Sequence, residues 1–244
     1  MEIAVQDVDG VRVAAAGGAD RVELCQALAV GGLTPSVGLV EVATTVGPDV
    51  HVLVRPRPGG FVYTATEVSV MVRDVEALVD AGASGVVVGA LTLDDGAPAL
   101  DRHALKALVR AAEGRPVTVH RCVDVLLGAP HRLEPADLVE QLLALGISRV
   151  LTSGGAPRAL EGTPVLGALV GAAAGRLEIM AGGGVHPEHL AALAEAGVDA
   201  IHLSARAAAT DAGPAGPGGG PDSYDRTDPD LVAAARAAID AGAG

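Results

Sequence analysis

The chain has 244 residues, and 50% of them are hydrophobic, enough for one large core. A net charge of −13 disfavours a phosphate backbone as partner, and Phe61, Tyr63 and Tyr224 are too few aromatics for a base-stacking platform. No apolar run approaches the roughly 18 residues of a membrane span, and a strand-like start followed at once by acidic residues gives no leader pattern. The expectation is a cytoplasmic protein without nucleic-acid or membrane partners, its two cysteines reduced thiols.

A repeat sets the order of elements. Gly-Ala-Asp-Arg-Val-Glu-Leu from Gly18 returns as Gly-Ala-Ser-Gly-Val-Val-Val from Gly82, Gly-Ile-Ser-Arg-Val-Leu-Thr from Gly146 and Gly-Val-Asp-Ala-Ile-His-Leu from Gly197. The first three copies stand 64 residues apart and the last 51 further on. Two βα units fill about 60 residues, so each copy marks every second strand of a closed (β/α)8 TIM barrel spanning 1–244 as a single domain. Strands are predicted near 2–6, 20–25, 50–55, 85–89, 116–120, 148–152, 177–181 and 199–204. Helices are predicted near 8–16, 35–46, 66–81, 101–112, 135–145, 164–173, 187–196 and 229–241. Gly17, Gly82, Gly146 and Gly197 read as helix C-terminal caps, and Asp228-Pro229 as the start of the last helix. Residues 207–228, rich in Gly and Pro, read as a long loop before that helix, either mobile or covering the barrel mouth.

The repeat also tells which side chains face the lumen, because strand side chains alternate. Val22/Leu24, Val86/Val88, Val150/Thr152 and Ile201/Leu203 form the outward set, as do Val52/Val54, Val117/Val119 and Leu177/Ile179. Glu2, Glu23, Cys25, His51, Arg55, Thr118, His120, Cys122, Ser153, Glu178, Met180, His202 and Ser204 share the inward parity. Charges buried alone are too costly to persist, so Glu2, Glu23, Arg55 and His120 must pair with each other or bind something. A structural salt-bridge network and a ligand site at the mouth both meet that demand.

At the mouth, Arg55-Pro-Arg57 forms a stiff cationic fork suited to carboxylate or phosphate. Thr152-Ser153-Gly154-Gly155 and Gly182-Gly183-Gly184 are glycine turns of the kind that seat a phosphate on backbone amides, with Ser204 close by. His120 suits a general base oriented by Asp124 or Glu23, or an interior hydrogen-bonded ring. The one lysine, Lys106, lies on an outer helix, which excludes Schiff-base chemistry. Cys25, Cys122 and Met180 would be soft ligands for Cu(I), with His120 and His202 nearby in parity. Strands two and five stand almost opposite, so Cys25 and Cys122 cannot share a disulfide or one small ion.

These residues resemble the CutC family, known as copper homeostasis proteins with a (β/α)8 barrel. The resemblance rests on Gly18-Ala-Asp-Arg-Val-Glu-Leu-Cys25, Gly31-Gly-Leu-Thr-Pro-Ser36, Arg55-Pro-Arg57, His120-Arg121 with Asp124, Leu151-Thr-Ser-Gly154 and Met180-Ala-Gly with Gly184. It covers about residues 1–206. It implies copper handling in the cytosol, copper binding in some members, and a homodimer or larger homo-oligomer. Ala4 and Val5 stand where some relatives carry cysteines, and Gly60 where an aspartate is often found. The family set that survives is Glu2, Glu23, Arg55, Arg57, His120, Arg121, Asp124 and Ser153, which suits an organic anion better than Cu(I).

Two functions follow. One is a CutC-type copper homeostasis protein with Cys25, Cys122 or Met180 as metal ligands. The other is a lyase, isomerase or hydrolase for a small anionic, possibly phosphorylated, metabolite. In the second, Glu2, Glu23, His120 and Asp124 are catalytic, and Arg55, Arg57, Arg121, Ser153, Gly154, Gly183, Gly184 and Ser204 bind the anion.

Overall fold

A computed structural model describes residues 1–210, 213 and 223–242. Eight parallel strands close into a barrel: β1 (Glu2–Val5), β2 (Arg21–Leu24), β3 (Asp49–Leu53), β4 (Gly85–Val88), β5 (Val117–Val119), β6 (Arg149–Thr152), β7 (Glu178–Gly182) and β8 (Ala200–Leu203). Each pairs with its chain neighbour, and β8 closes the ring on β1. The outer helices are α1 (Val8–Ala16), α2 (Val37–Ala43), α3 (Ala65–Asp80), α4 (Arg102–Ala111), α5 (Pro135–Leu143), α6 (Thr163–Ala173), α7 (Leu190–Glu195) and α8 (Pro229–Gly242).

The alternation read from the repeat is the packing of the barrel. Val22, Leu24, Val52, Val86, Val88, Val117, Val119, Val150, Ile179 and Ile201 join one buried cluster with the helices, whereas Cys25, Leu53 and Val87 form a separate lumen cluster. Burying each Val, Leu or Ile contributes about 1.5–3 kcal/mol, and this outer layer carries the stability that the polar lumen does not.

Helix starts are capped by short polar side chains. Thr64 and Glu67 form a reciprocal capping box at α3, and Asp228 Oδ1 accepts the Asp230 and Leu231 amides ahead of α8. After α1 the left-handed residue is Gly18 (φ 78), not Gly17 (φ −83). The repeat therefore begins, in every copy, on the glycine that ends a helix in that conformation: Gly82, Gly146 and Gly197 also have positive φ.

Two hairpins depart from the expected pattern. Leu91–Asp94 pairs antiparallel with Ala97–Leu100 after β4. Arg206–Thr210 pairs antiparallel with Ser223–Thr227, so the segment expected as loop over 207–228 is strand at both ends. Its centre, apart from Gly213, lies outside the described residues. The hairpin docks on the barrel through Gln6, whose Nε2 donates to Asp225 O at 2.7 Å. Among the described residues no helix is long and apolar enough to cross a membrane.

Candidate active site at the barrel mouth

A cavity of about 240 Å3 opens at the C-terminal ends of the strands, lined by Glu23, Arg55, Phe61, His120, Arg121, His202, Ser204 and Arg206 over Leu28, Leu53 and Leu151. A second hollow of similar size, lined by Met1, Leu190, Ile201 and Ile239, lies on the outer helices. Its one carboxylate, Asp199, accepts the Ile179 amide, whereas the first gathers several polar side chains at the strand ends and is the candidate site.

Register builds the floor. Glu2 pairs with Arg21 across β1–β2 and with His202 across β1–β8, and Ala4 pairs with Glu23. All these side chains point inward, so Glu2 meets both cations in one layer and Glu23 stands one layer nearer the mouth. Arg21 Nε donates to Glu2 Oε2 at 2.5 Å, and His202 Nδ1 lies 2.8 Å from Glu2 Oε1. Burial alone would raise the Glu2 carboxyl, but His202 and Arg21 hold it down to about 2. Glu23 has no such partner. Burial pushes its carboxyl up to about 7, with Glu2 adding to the shift and His202 opposing it. Its Oε2 is buried without a hydrogen bond.

His120 faces the same cavity from the end of β5. Its Nδ1 accepts the Cys122 amide at 3.1 Å, which leaves the proton of the neutral ring on Nε2. That Nε2 is buried and unpartnered. Burial, helped by Arg55, lowers the imidazole to about 4, so at neutral pH His120 is an uncharged hydrogen-bond donor. Of the two expectations for His120, the neutral ring with Nδ1 already occupied matches the interior hydrogen-bonded one and offers no free lone pair for a general base. Phe61 packs on the ring at a centroid distance of 4.9 Å and fixes its plane.

The arginines divide. Arg55 is buried and spends its Nη atoms on the Val30, Gly32 and Gly59 carbonyls, leaving Nε without a partner. Arg57 lies outside the cavity: it pairs with Glu67, donates to the Gly60 and Val62 carbonyls and stacks over Tyr63. The expected fork is therefore one lining residue and one loop brace. Arg121 lines the cavity, with Nε on Asp124 and Nη2 on Ser153, while Nη1 makes no hydrogen bond to described residues.

Asp124, expected to be catalytic, is a structural hub. It accepts from Arg121 Nε, from the Thr152 and Ser153 hydroxyls, and from the Ser153 and Gly155 amides. Ser153 is spent on Asp124, Arg121 and the Ala156 carbonyl. The glycines make room for packing and do not line the cavity. Gly154 gives its amide to Thr152, a Cβ at Gly183 would sit 2.7 Å from the Arg121 guanidinium, and Gly184 backs onto Arg158. Ser204 lines the mouth.

The three sulfurs lie apart. Cys25 Sγ points at the Val5 carbonyl, Met180 Sδ accepts from Arg21 at 3.6 Å, and Cys122 is buried beside Gly89 and His120. Burial pushes both thiols well above the usual range, against the thiolate that soft-metal binding needs. Among the described residues one group could hold an ion by geometry: Glu2, Glu23 and His202, with donor atoms within 4.8 Å of one another. It offers oxygen and nitrogen only, and Arg21 already neutralises Glu2, so it does not fit Cu(I).

Arg21 and Arg149 escaped the sequence reading. Both have inward parity, three places after a repeat glycine, and the alternation run one pleat further back would have found them. Arg149 pairs with Glu178 at 2.5 Å and donates to Thr118 at the lower end of the lumen. Lys106 is exposed on α4.

Fold and site together define a (β/α)8-barrel protein with ionisable side chains lining its mouth. The profile of the CutC family matches residues 1–207, and the chain belongs to that family. A family protein CutC from Agrobacterium fabrum is 46% identical over 208 residues, covering 85% of this chain and 79% of the relative. A family protein CutC from Pasteurella multocida is 38% identical, covering 84% and 82%. The crystal structure of a CutC from Streptococcus agalactiae, assigned to copper homeostasis, superposes with a TM-score of 0.74 at 33% identity, covering 82% of this chain and 96% of that one. The family match ends before the second strand of the C-terminal hairpin.

Proposed function

We propose that the mouth is the active site of a lyase or isomerase that moves a proton next to a carbonyl of a small anionic metabolite. The observation that carries this reading is the set of unspent buried polar atoms, Glu23 Oε2, Arg55 Nε and His120 Nε2, on residues lining one cavity. Buried polar groups normally find partners, so unpartnered ones around a hollow point to a ligand that supplies them. Glu23, titrating near neutrality, takes the proton. The neutral Nε2–H of His120 donates to the oxygen on which charge develops, and costs no buried charge in doing so. Arg121 Nη1, with Arg206, holds the anionic end. A cavity of about 240 Å3 suits a small metabolite.

The test is exchange of carbon-bound protons in deuterium oxide, followed by proton NMR with a panel of small hydroxy-carbonyl carboxylates and phosphates. Wild type is expected to exchange at least one probe, and Glu23→Gln to slow that exchange by about 10²–10⁴-fold. Exchange equal in both proteins would refute the assignment of Glu23.

A second reading, copper handling, is carried by the family name. Among the described residues the scattered sulfurs give it no shared site, so Cu(I) titration of reduced protein against a competing chelator is expected to give no tight site that Cys25→Ala with Cys122→Ala removes. A cytoplasmic location and a homodimer or larger assembly belong to the same family-based proposal.

A further inference from the structure

Behind the cavity floor runs a line of four ionisable side chains. Arg21 holds one oxygen of Glu2, and His202 Nδ1 holds the other at 2.8 Å. The same Nδ1 lies 3.6 Å from Glu23 Oε2. Each oxygen of the buried Glu2 thus has its own cation, while Glu23 has only the shared imidazole and the cavity. His202 lines that cavity, and its Nε2 makes no hydrogen bond to described residues.

The charged groups around the ring are Glu2 from β1, Glu23 from β2 and Arg121 from the turn after β5, with Arg21 of β2 on the other oxygen of Glu2. The neighbours from β6 and β7, Leu151 and Gly182, carry no charge. Burial disfavours a charged ring, and Arg121 adds to that. The bond to Glu2 and the charges of both carboxylates outweigh them and raise the imidazole above its ordinary value. With one nitrogen committed to carboxylates, the second proton sits on Nε2 at the cavity.

We propose that His202 is a second catalytic group, the acid that partners Glu23, and that Glu2 is the positioning residue that holds its ring, itself kept ionised by Arg21. The inference rests on the proton-transfer reading given above. In that step the ligand C–H bond breaks and its proton goes to Glu23 Oε2. The bonding pair moves toward the carbonyl carbon, and the carbonyl oxygen takes the Nε2 proton of His202. The ring is left neutral with its Nδ1–H on Glu2, and return of the two protons restores both groups without another reagent.

Nitrogen NMR of the full chain, labelled with 15N-histidine, tests this without a ligand. The His202 signals are those lost in His202→Gln. Both ring nitrogens are expected at charged-ring positions at pH 6.5, where a free imidazole is half neutral, and Glu2→Gln is expected to move the loss of that charge to lower pH. Glu23→Gln leaves the Arg21–Glu2 pair intact, so it serves if the Glu2 variant does not fold. It is expected to lower the His202 midpoint, because the Glu23 charge is one of the groups that raise it. A neutral His202 in wild type at pH 6.5, or a midpoint unmoved by either substitution, overturns the assignment. If proton exchange depends on Glu23 while His202 is neutral, the acid role falls and the reading of the site stands. If His202 is charged and no probe exchanges, both fall.

Discussion

Replacing Glu2 by alanine is expected to cost about 3–5 kcal/mol in urea unfolding at pH 7, since it leaves uncompensated buried charge. Glu2 is fully buried and is the shared partner of Arg21 and His202. Removing it leaves the Arg21 guanidinium, which cannot deprotonate, with only the longer 3.6 Å pairing to Glu178, and leaves an imidazole that then can deprotonate. Glu2→Gln keeps the volume and some hydrogen bonding, so it is expected to cost less. The pH dependence has a definite sign. The Glu2 carboxyl is held at about 2, below its ordinary 4.5, so its contribution is complete above 4.5 and is lost as pH falls toward 2. The gap between wild type and Glu2→Ala should therefore narrow at low pH. A gap that is constant from pH 7 to pH 3 would mean that Glu2 acts by packing and not by charge.

Replacing Asp124 by alanine should be nearly as damaging, for a different reason. Its carboxylate gathers the Arg121 guanidinium, the Thr152 and Ser153 hydroxyls and the Ser153 and Gly155 amides. Each donor left unpaired in the interior costs about 1–3 kcal/mol, and water can reach only some of them. A loss of about 3–4 kcal/mol is expected by urea unfolding, with amide exchange speeding up at Ser153 and Gly155. Arg121 would also lose its anchor, so anion affinity should fall even in the fraction that stays folded. Unchanged stability with anion binding alone lost would return Asp124 to the catalytic set.

The fold was legible because it repeats. A glycine ending every second helix and an aliphatic alternation after it are local signals, and the barrel strands follow them to within a residue or two. The alternation also brought out Glu2, Glu23, Arg55, His120 and His202, because direction into the lumen depends only on parity. It could not say which of these side chains are spent. Arg57 and Asp124 look like site residues in sequence and are consumed by neighbours ten and about thirty positions away. Parity carries no information on such bonds. The C-terminal hairpin was missed because Arg206-Ala-Ala-Ala-Thr210 has no alternation of polarity to mark a strand. The residue type and parity of His120 suit either a general base or an interior hydrogen-bonded ring. Only the bond from the Cys122 amide and the depth of burial make it a neutral donor.

Soaking a crystal with inorganic phosphate, and separately with oxalate, tests directly whether the mouth is built for an anion. An anion should lie within hydrogen-bond distance of Arg121 Nη1, with His120 Nε2 and Glu23 Oε2 turned toward the same space. Density for the anion only at the outer surface, or Glu23, His120 and His202 facing different compartments, would contradict a shared catalytic pocket.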